Sequence, residues 1–188
     1  MKIIFMKRIL FAVFATILLV HSGTAQKYYT KNGTISFFSS TSMEDIKADN
    51  NQVMSVLNAQ TGDMQFSVIV KSFHFKKALM EEHFNENYME SSKFPKSTFK
   101  GTVADISKVN FTKDGSYPVT VAGDLTIHGV TQKVSTPGTI TVQAGKIKGN
   151  AVFKVALADY SIAVPKLVEK NISKTIEITV NCLYDQKM

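Results

Sequence analysis

Arginine is almost missing from this chain: Arg8 is the only one among 188 residues. Paired hydrogen bonds to phosphate or carboxylate favour the guanidinium fork, and base-specific nucleic-acid readers depend on it. The formal charge is +7, but the lysines are spread along the chain rather than gathered on one segment. The basic balance therefore reads as solubility, and no nucleic-acid partner is expected. Cysteine is equally scarce. Cys182 stands alone, so no internal disulfide can staple the fold. It alternates in step with Ile176, Ile178 and Val180, which makes it a small buried hydrophobe rather than a nucleophile. Tryptophan is absent and prolines number four. No H-E-x-x-H, G-x-S-x-G, Walker or G-x-G-x-x-G pattern occurs, so no catalytic or nucleotide-binding signature is present.

Long apolar runs are lacking too, with one exception. Ile9 to Val20 is uncharged and apolar but for Thr16, follows Lys7 and Arg8, and precedes the small residues Gly23-Thr24-Ala25. Twelve residues are short for a spanning helix. Residues 1–25 read as a signal peptide cleaved before Gln26, and residues 26–188 as one domain. Removing Lys2, Lys7 and Arg8 lowers the formal charge from +7 to +4. The expected location is the periplasm or the outside of a bacterial cell.

What remains is mostly short alternating segments. Tyr28–Ser39 is a first strand and Gln52–Asn58 a weak second one, with polar, turn-rich sequence between them. After the Thr61-Gly62-Asp63 turn, Met64–Phe75 reads as a third strand. It has Phe66, Val68 and Val70 on one face, and Ile69, Phe73 and Phe75 on the other. Ser97–Val109 and Tyr117–His128 follow. In the latter, Val119, Val121, Leu125 and Ile127 oppose Thr120, Asp124, Thr126 and His128. Val130–Pro137 and Thr139–Gln143 are separated by a break at Pro137-Gly138. Ile147–Leu157, with Phe153 and Val155 inward, and Ile172–Leu183, with Ile178, complete the set. About eight strands with frequent turns predict an antiparallel barrel or sandwich.

Phe73–Phe99 differs. Leu79, Met80, His83, Phe84 and Tyr88 recur at helical spacing, and Glu82, Glu86 and Glu90 form a second stripe that reads as a solvated face. Phe94-Pro95 ends the pattern. This predicts one amphipathic helix inserted into an all-β chain.

Two segments, Gly123-Asp124-Leu125-Thr126-Ile127-His128-Gly129-Val130-Thr131-Gln132-Lys133-Val134 and His83-Phe84 through Phe94-Pro95-Lys96-Ser97-Thr98-Phe99, resemble the YceI-like family of exported bacterial proteins. The resemblance spans about Tyr28 to Tyr184. It implies an eight-stranded, lipocalin-like antiparallel barrel that holds an isoprenoid-type lipid, such as a quinone or polyisoprenoid tail. Where family members often carry an arginine-aspartate-x-histidine-leucine segment, this chain reads Met80-Glu81-Glu82-His83-Phe84.

The expected function is thus an exported, non-enzymatic binding protein. Its apolar lining is assigned to Phe66, Val68, Val70, Val121, Leu125, Ile127, Phe153, Val155 and Ile178, with Phe84, Tyr88 and Met89 closing one mouth. No cofactor is required and no metal is expected, because neighbouring His83, Glu81 and Glu82 point apart on a helix. The expected partners are the apolar lipid and, transiently, a membrane. His128 reads as a turn residue bonded to local backbone. Two alternatives remain: an envelope interaction module with a packed barrel, and an enzyme on a small apolar substrate with His74 or His83 as base.

Overall fold

The half-polar alternation of the chain closes into a barrel. The computed structural model describes residues 26–188; the expected signal peptide lies outside them. The strands are β1 (Lys27–Ser40), β2 (Asp45–Asn58), β3 (Asp63–Ile69), β4 (His74–Phe75), β5 (Lys96–Ala104), β6 (Gly115–Ile127), β7 (Val130–Gln143), β8 (Lys146–Ala156), β9 (Thr175–Tyr184) and β10 (Gln186–Lys187). Every pairing is antiparallel, in the order β1-β9-β8-β7-β6-β5-β3-β2, and β2 pairs back onto β1. Eight strands therefore form a closed wall with no free edge. The two short strands add to its margins, β10 on β1 and β4 on β2.

Two-residue turns set the register of two successive hairpins. His128 (φ 52°) and Gly129 (φ 75°) join β6 to β7, while Ala144 (φ 49°) and Gly145 (φ 74°) join β7 to β8. Positive φ at both turn positions matches the twist of the flanking strands.

Four expectations are corrected. The polar stretch before Gln52 is strand, since β2 begins at Asp45. Its inward positions are Ile46, Ala48 and Asn50, and the fully buried Asn50 hides the apolar period. Asn50 is satisfied: its Nδ2 donates to the Ile69 carbonyl at 2.9 Å and its Oδ1 accepts from the Gln52 amide at 2.9 Å. Pro137-Gly138 does not break the chain, and β7 runs straight through it. Pairing with β8 starts only at Gly138, so Pro137 stands where β7 has a ladder on one side alone. That is a position strands allow to proline.

The third strand ends at Ile69, and a 3-10 turn, Val70–Ser72, follows. The turn swaps the faces, so Phe73 and Phe75 point inward like Phe66 and Val68, while Ile69 is exposed. The inserted helix is short: α1 (Ala78–His83) passes into a π-helical turn, Phe84–Tyr88. Leu79, expected on the covered face, points to solvent. The π turn adds a residue to the cycle, bringing Phe84 and Met89, five apart, to the inside.

The two ends of the barrel differ. One is filled by Tyr28, Leu57, Ile140, Val142, Ile147, Cys182 and Tyr184, with Ser55 Oγ and Tyr184 Oη bonded at 2.9 Å. Burial pushes the Cys182 thiol up to about 12. At pH 8 roughly one thiol in ten thousand is then ionised, and the thiolate is the reactive form. Ellman's reagent should leave native protein unlabelled and label it fully in guanidinium; rapid labelling of the native form would contradict this packing.

Candidate functional site

The other end carries the insertion between β3 and β5. Its two feet are tied by the Val70 amide, which donates to the Pro95 carbonyl at 3.0 Å. From there the chain folds over the barrel. β4 pairs with Ala48 and Asp49 of β2, and Phe84 reaches down into an aromatic group. Its ring stacks on Phe37 at 5.4 Å and meets Phe73 at 5.6 Å and Phe75 at 5.1 Å. These rings contribute contact area and offset-stacked or edge-on geometry, which holds the cap to the wall without polar anchors.

A second tie is polar. His128, in the β6–β7 turn, has its Nε2 2.8 Å from Glu90 Oε2 and its Nδ1 3.2 Å from the Tyr160 carbonyl. Both nitrogens face oxygens, so the ring is a double donor when it carries both protons. Phe94 packs on it edge-on at 4.7 Å. The ring joins three segments rather than bonding its own turn, which corrects the local-backbone reading. Glu90, expected in the solvated stripe, is its partner, while Glu82 and Glu86 are exposed. Hydrogen bonds to charged groups contribute about 1.5–3 kcal/mol, reduced here because Glu90 is partly exposed. His128→Asn keeps a residue that tolerates positive φ and removes both contacts. It should lower stability by ~1–2 kcal/mol in urea titration and speed amide exchange at residues 84–94; an unchanged midpoint would refute the clamp.

Between the packed end and this cap lies a cavity of about 370 Å³. That is within the roughly 300–1,000 Å³ typical of small-molecule sites. Phe66, Val68, Phe84, Tyr88, Val121, Leu125, Ile127, Phe153, Val155 and Ile178 all line it, as does Met89. Val70 does not. It sits in the 3-10 turn, almost fully buried in the same apolar cluster as Met89, Leu125 and Tyr160, at the foot of the cap. Reading alternation alone missed Ile35, Phe37, Phe73, Phe75 and Phe99 as lining. Ile35 and Phe37 share a face that the sequence does show. Phe73 and Phe75 were hidden by the 3-10 turn.

The mouth is framed by three segments: the β1–β2 loop with Glu44, the start of the cap with Met80 and His83, and the β8–β9 loop with Val168 and Asn171. Glu44 joins all three. Its carboxylate accepts from Lys77 Nζ at 3.0 Å and from Asn171 Nδ2 at 3.3 Å. Those hydrogen bonds hold its carboxyl below the usual carboxylate range. His83 lines the mouth, but His74 lies outside the lining, 3.6 Å from Glu81. Among the described residues no three His, Cys, Asp or Glu side chains gather as a metal site, and no helix is long and apolar enough to cross a membrane. Chemically, the arrangement offers an apolar chamber with one partly polar opening.

Comparison with known proteins agrees with this geometry. A YceI-like domain matches residues 20–183. A structure of a polyisoprenoid binding domain from Saccharophagus degradans, implicated in plant cell wall breakdown, superposes with a TM-score of 0.73 at 16% identity. It covers 85% of this chain and 97% of that one. Burkholderia cenocepacia BcnA superposes with a TM-score of 0.67 at 15% identity, covering 79% of this chain and 94% of that one. At these identities the likeness shows the fold. A search of curated protein sequences found no match.

Proposed function

The chain belongs to the YceI-like family, and from that premise we propose that it is an exported, non-enzymatic carrier that holds an isoprenoid-type lipid, a quinone or polyisoprenoid tail, inside the barrel. The observation that carries this reading is the cavity: about 370 Å³ of space walled by Phe, Val, Leu and Ile side chains. A polar ligand would leave its hydrogen-bonding groups unpaired against such a wall, at a cost of roughly 1–3 kcal/mol each. An apolar tail gains ~0.8 kcal/mol for each methylene it buries. Ten buried carbons give roughly 8 kcal/mol before the cost of association, and each further isoprene unit that the barrel takes up adds about 4 kcal/mol.

Recognition then rests on the tail. Met80 stands where the family resemblance implies an arginine, so the mouth offers a thioether in place of a guanidinium. The carboxylate in the cavity lining is Glu44, and it is already engaged by Lys77 and Asn171. The Saccharophagus domain is described as polyisoprenoid binding, which supports the same ligand class here. The cavity also favours a carrier over a packed barrel that works through its surface alone.

Purified protein, extracted with organic solvent and analysed by lipid mass spectrometry, should yield an isoprenoid-tailed lipid in near-stoichiometric amount. A polar ligand, or an empty barrel that also fails to take up such lipids from solution, would overturn the reading. An intact mass beginning at Gln26 for protein from the periplasm or medium would support export.

A further inference from the structure

Water-insoluble cargo must enter and leave through the mouth, and the mouth has an unusual outer surface. Each of the three segments framing it presents a large apolar side chain to solvent. Met43 on the β1–β2 loop is 66% exposed, Leu79 on α1 is 60% exposed, and Leu167 on the β8–β9 loop is 94% exposed. Glu44, bonded to Lys77 and Asn171, holds these segments against one another, so the three tips flank one opening. Leu167 lies in a short 3-10 turn, Lys166–Val168, with lysines at 166 and 170 around it. Among the described residues neither lysine meets a carboxylate, whereas Lys174 is held by Glu169 at 2.8 Å.

A near-fully exposed leucine between two free ammonium groups gains nothing in water. At a bilayer boundary the same arrangement is favourable: the leucine enters the acyl region and the lysines meet lipid phosphates. We infer that the cavity mouth is a membrane-docking face, which rests Met43, Leu79 and Leu167 on an anionic phospholipid bilayer so that lipid passes between membrane and barrel without crossing water. This rests on the carrier reading and gives it a partner.

The test is co-flotation of the full chain with vesicles. The wild type should float with vesicles of phosphatidylcholine containing phosphatidylglycerol, and much less with phosphatidylcholine alone. Leu167→Asp, and separately Lys166→Glu with Lys170→Glu, should cut the floated fraction at least about tenfold. Val152→Asp, at an exposed apolar position on the barrel wall, should float as the wild type does. Docking falls if the wild type ignores both vesicles, if Leu167→Asp floats normally, or if Val152→Asp is lost equally. Lipid mass spectrometry on the same preparations keeps the two ideas apart. Protein that carries an isoprenoid lipid but ignores vesicles sinks docking alone. Protein that docks yet never holds such a lipid sinks the carrier reading and leaves the membrane face standing.

Discussion

Ala151→Trp should produce a folded barrel that no longer retains an isoprenoid chain. Ala151 lies on β8 between Gly149 and Phe153, and all three line the cavity. Its small side chain leaves open space, so an indole can project into the chamber instead of pressing on packed neighbours. The ring would occupy room that the tail needs. Excluding one five-carbon isoprene unit forfeits ~4 kcal/mol at ~0.8 kcal/mol per carbon, about a thousandfold in affinity. Stability should change little, since the residue enters a void; large-to-small changes that open voids are the costly direction. The measurement pairs lipid content after solvent extraction with thermal unfolding. Wild-type lipid content in a folded Ala151→Trp protein would place the ligand elsewhere. The phenotype is specific to a carrier: a barrel acting only through its outer surface would be indifferent to a side chain pointing inward.

The cavity wall was legible wherever one face of a strand meets water. Along β6, Val121, Leu125 and Ile127 are separated by Thr120, Asp124 and Thr126, so the inward set can be read by period alone. β8 and β9 behave alike, with Phe153, Val155 and Ile178 in the lining. Reading fails where the backbone changes phase. The register of β1 against β2 shifts between Thr30 and Gly33 and again before Ile35, so neither strand keeps one parity from end to end. The 3-10 turn after Ile69 does the same to Phe73 and Phe75. A second kind of failure is long-range polar pairing. Nothing local marks Glu44 as a partner of Lys77 and Asn171, 33 and 127 residues away, or Glu90 as the partner of His128. The closed fold creates those contacts, and they position the cap and mouth rather than the wall.

Gly123→Ala should be among the most damaging single changes in the chain, although it adds one methyl group. Gly123 on β6 sits directly opposite Gly101 on β5. A Cβ at Gly123 would overlap the Gly101 Cα and the Lys100 carbonyl oxygen, and would lie 2.9 Å from Cζ of the Phe99 ring. The first two are backbone atoms, fixed by the β5–β6 ladder, and cannot rotate away. The paired glycines make room for the Phe99 ring, whose Cζ would lie 2.5 Å from a Cβ at Gly101 as well, so the ring covers bare backbone that side chains would otherwise occupy. An added methyl forces the strands apart or lifts the ring into the cavity. Overpacking of this kind costs about 1–3 kcal/mol where side chains can yield, so an immovable backbone puts this case at ~3 kcal/mol or more. For a domain of this size that lowers Tm by about 6–12 °C. Gly149→Ala is the internal comparison. It also lines the cavity, but its Cβ would meet the Tyr184 ring at 3.4 Å, ordinary van der Waals contact. That variant should shift stability by less than about 1 kcal/mol, because the added contact and the stiffer unfolded chain act in the same favourable direction. Equal Tm values for the two alanine variants would refute the close-approach argument. If instead Gly123→Ala stays folded with reduced lipid content, Phe99 has moved, and the glycine in the Gly123-Asp124 step of the motif is there to keep the chamber open.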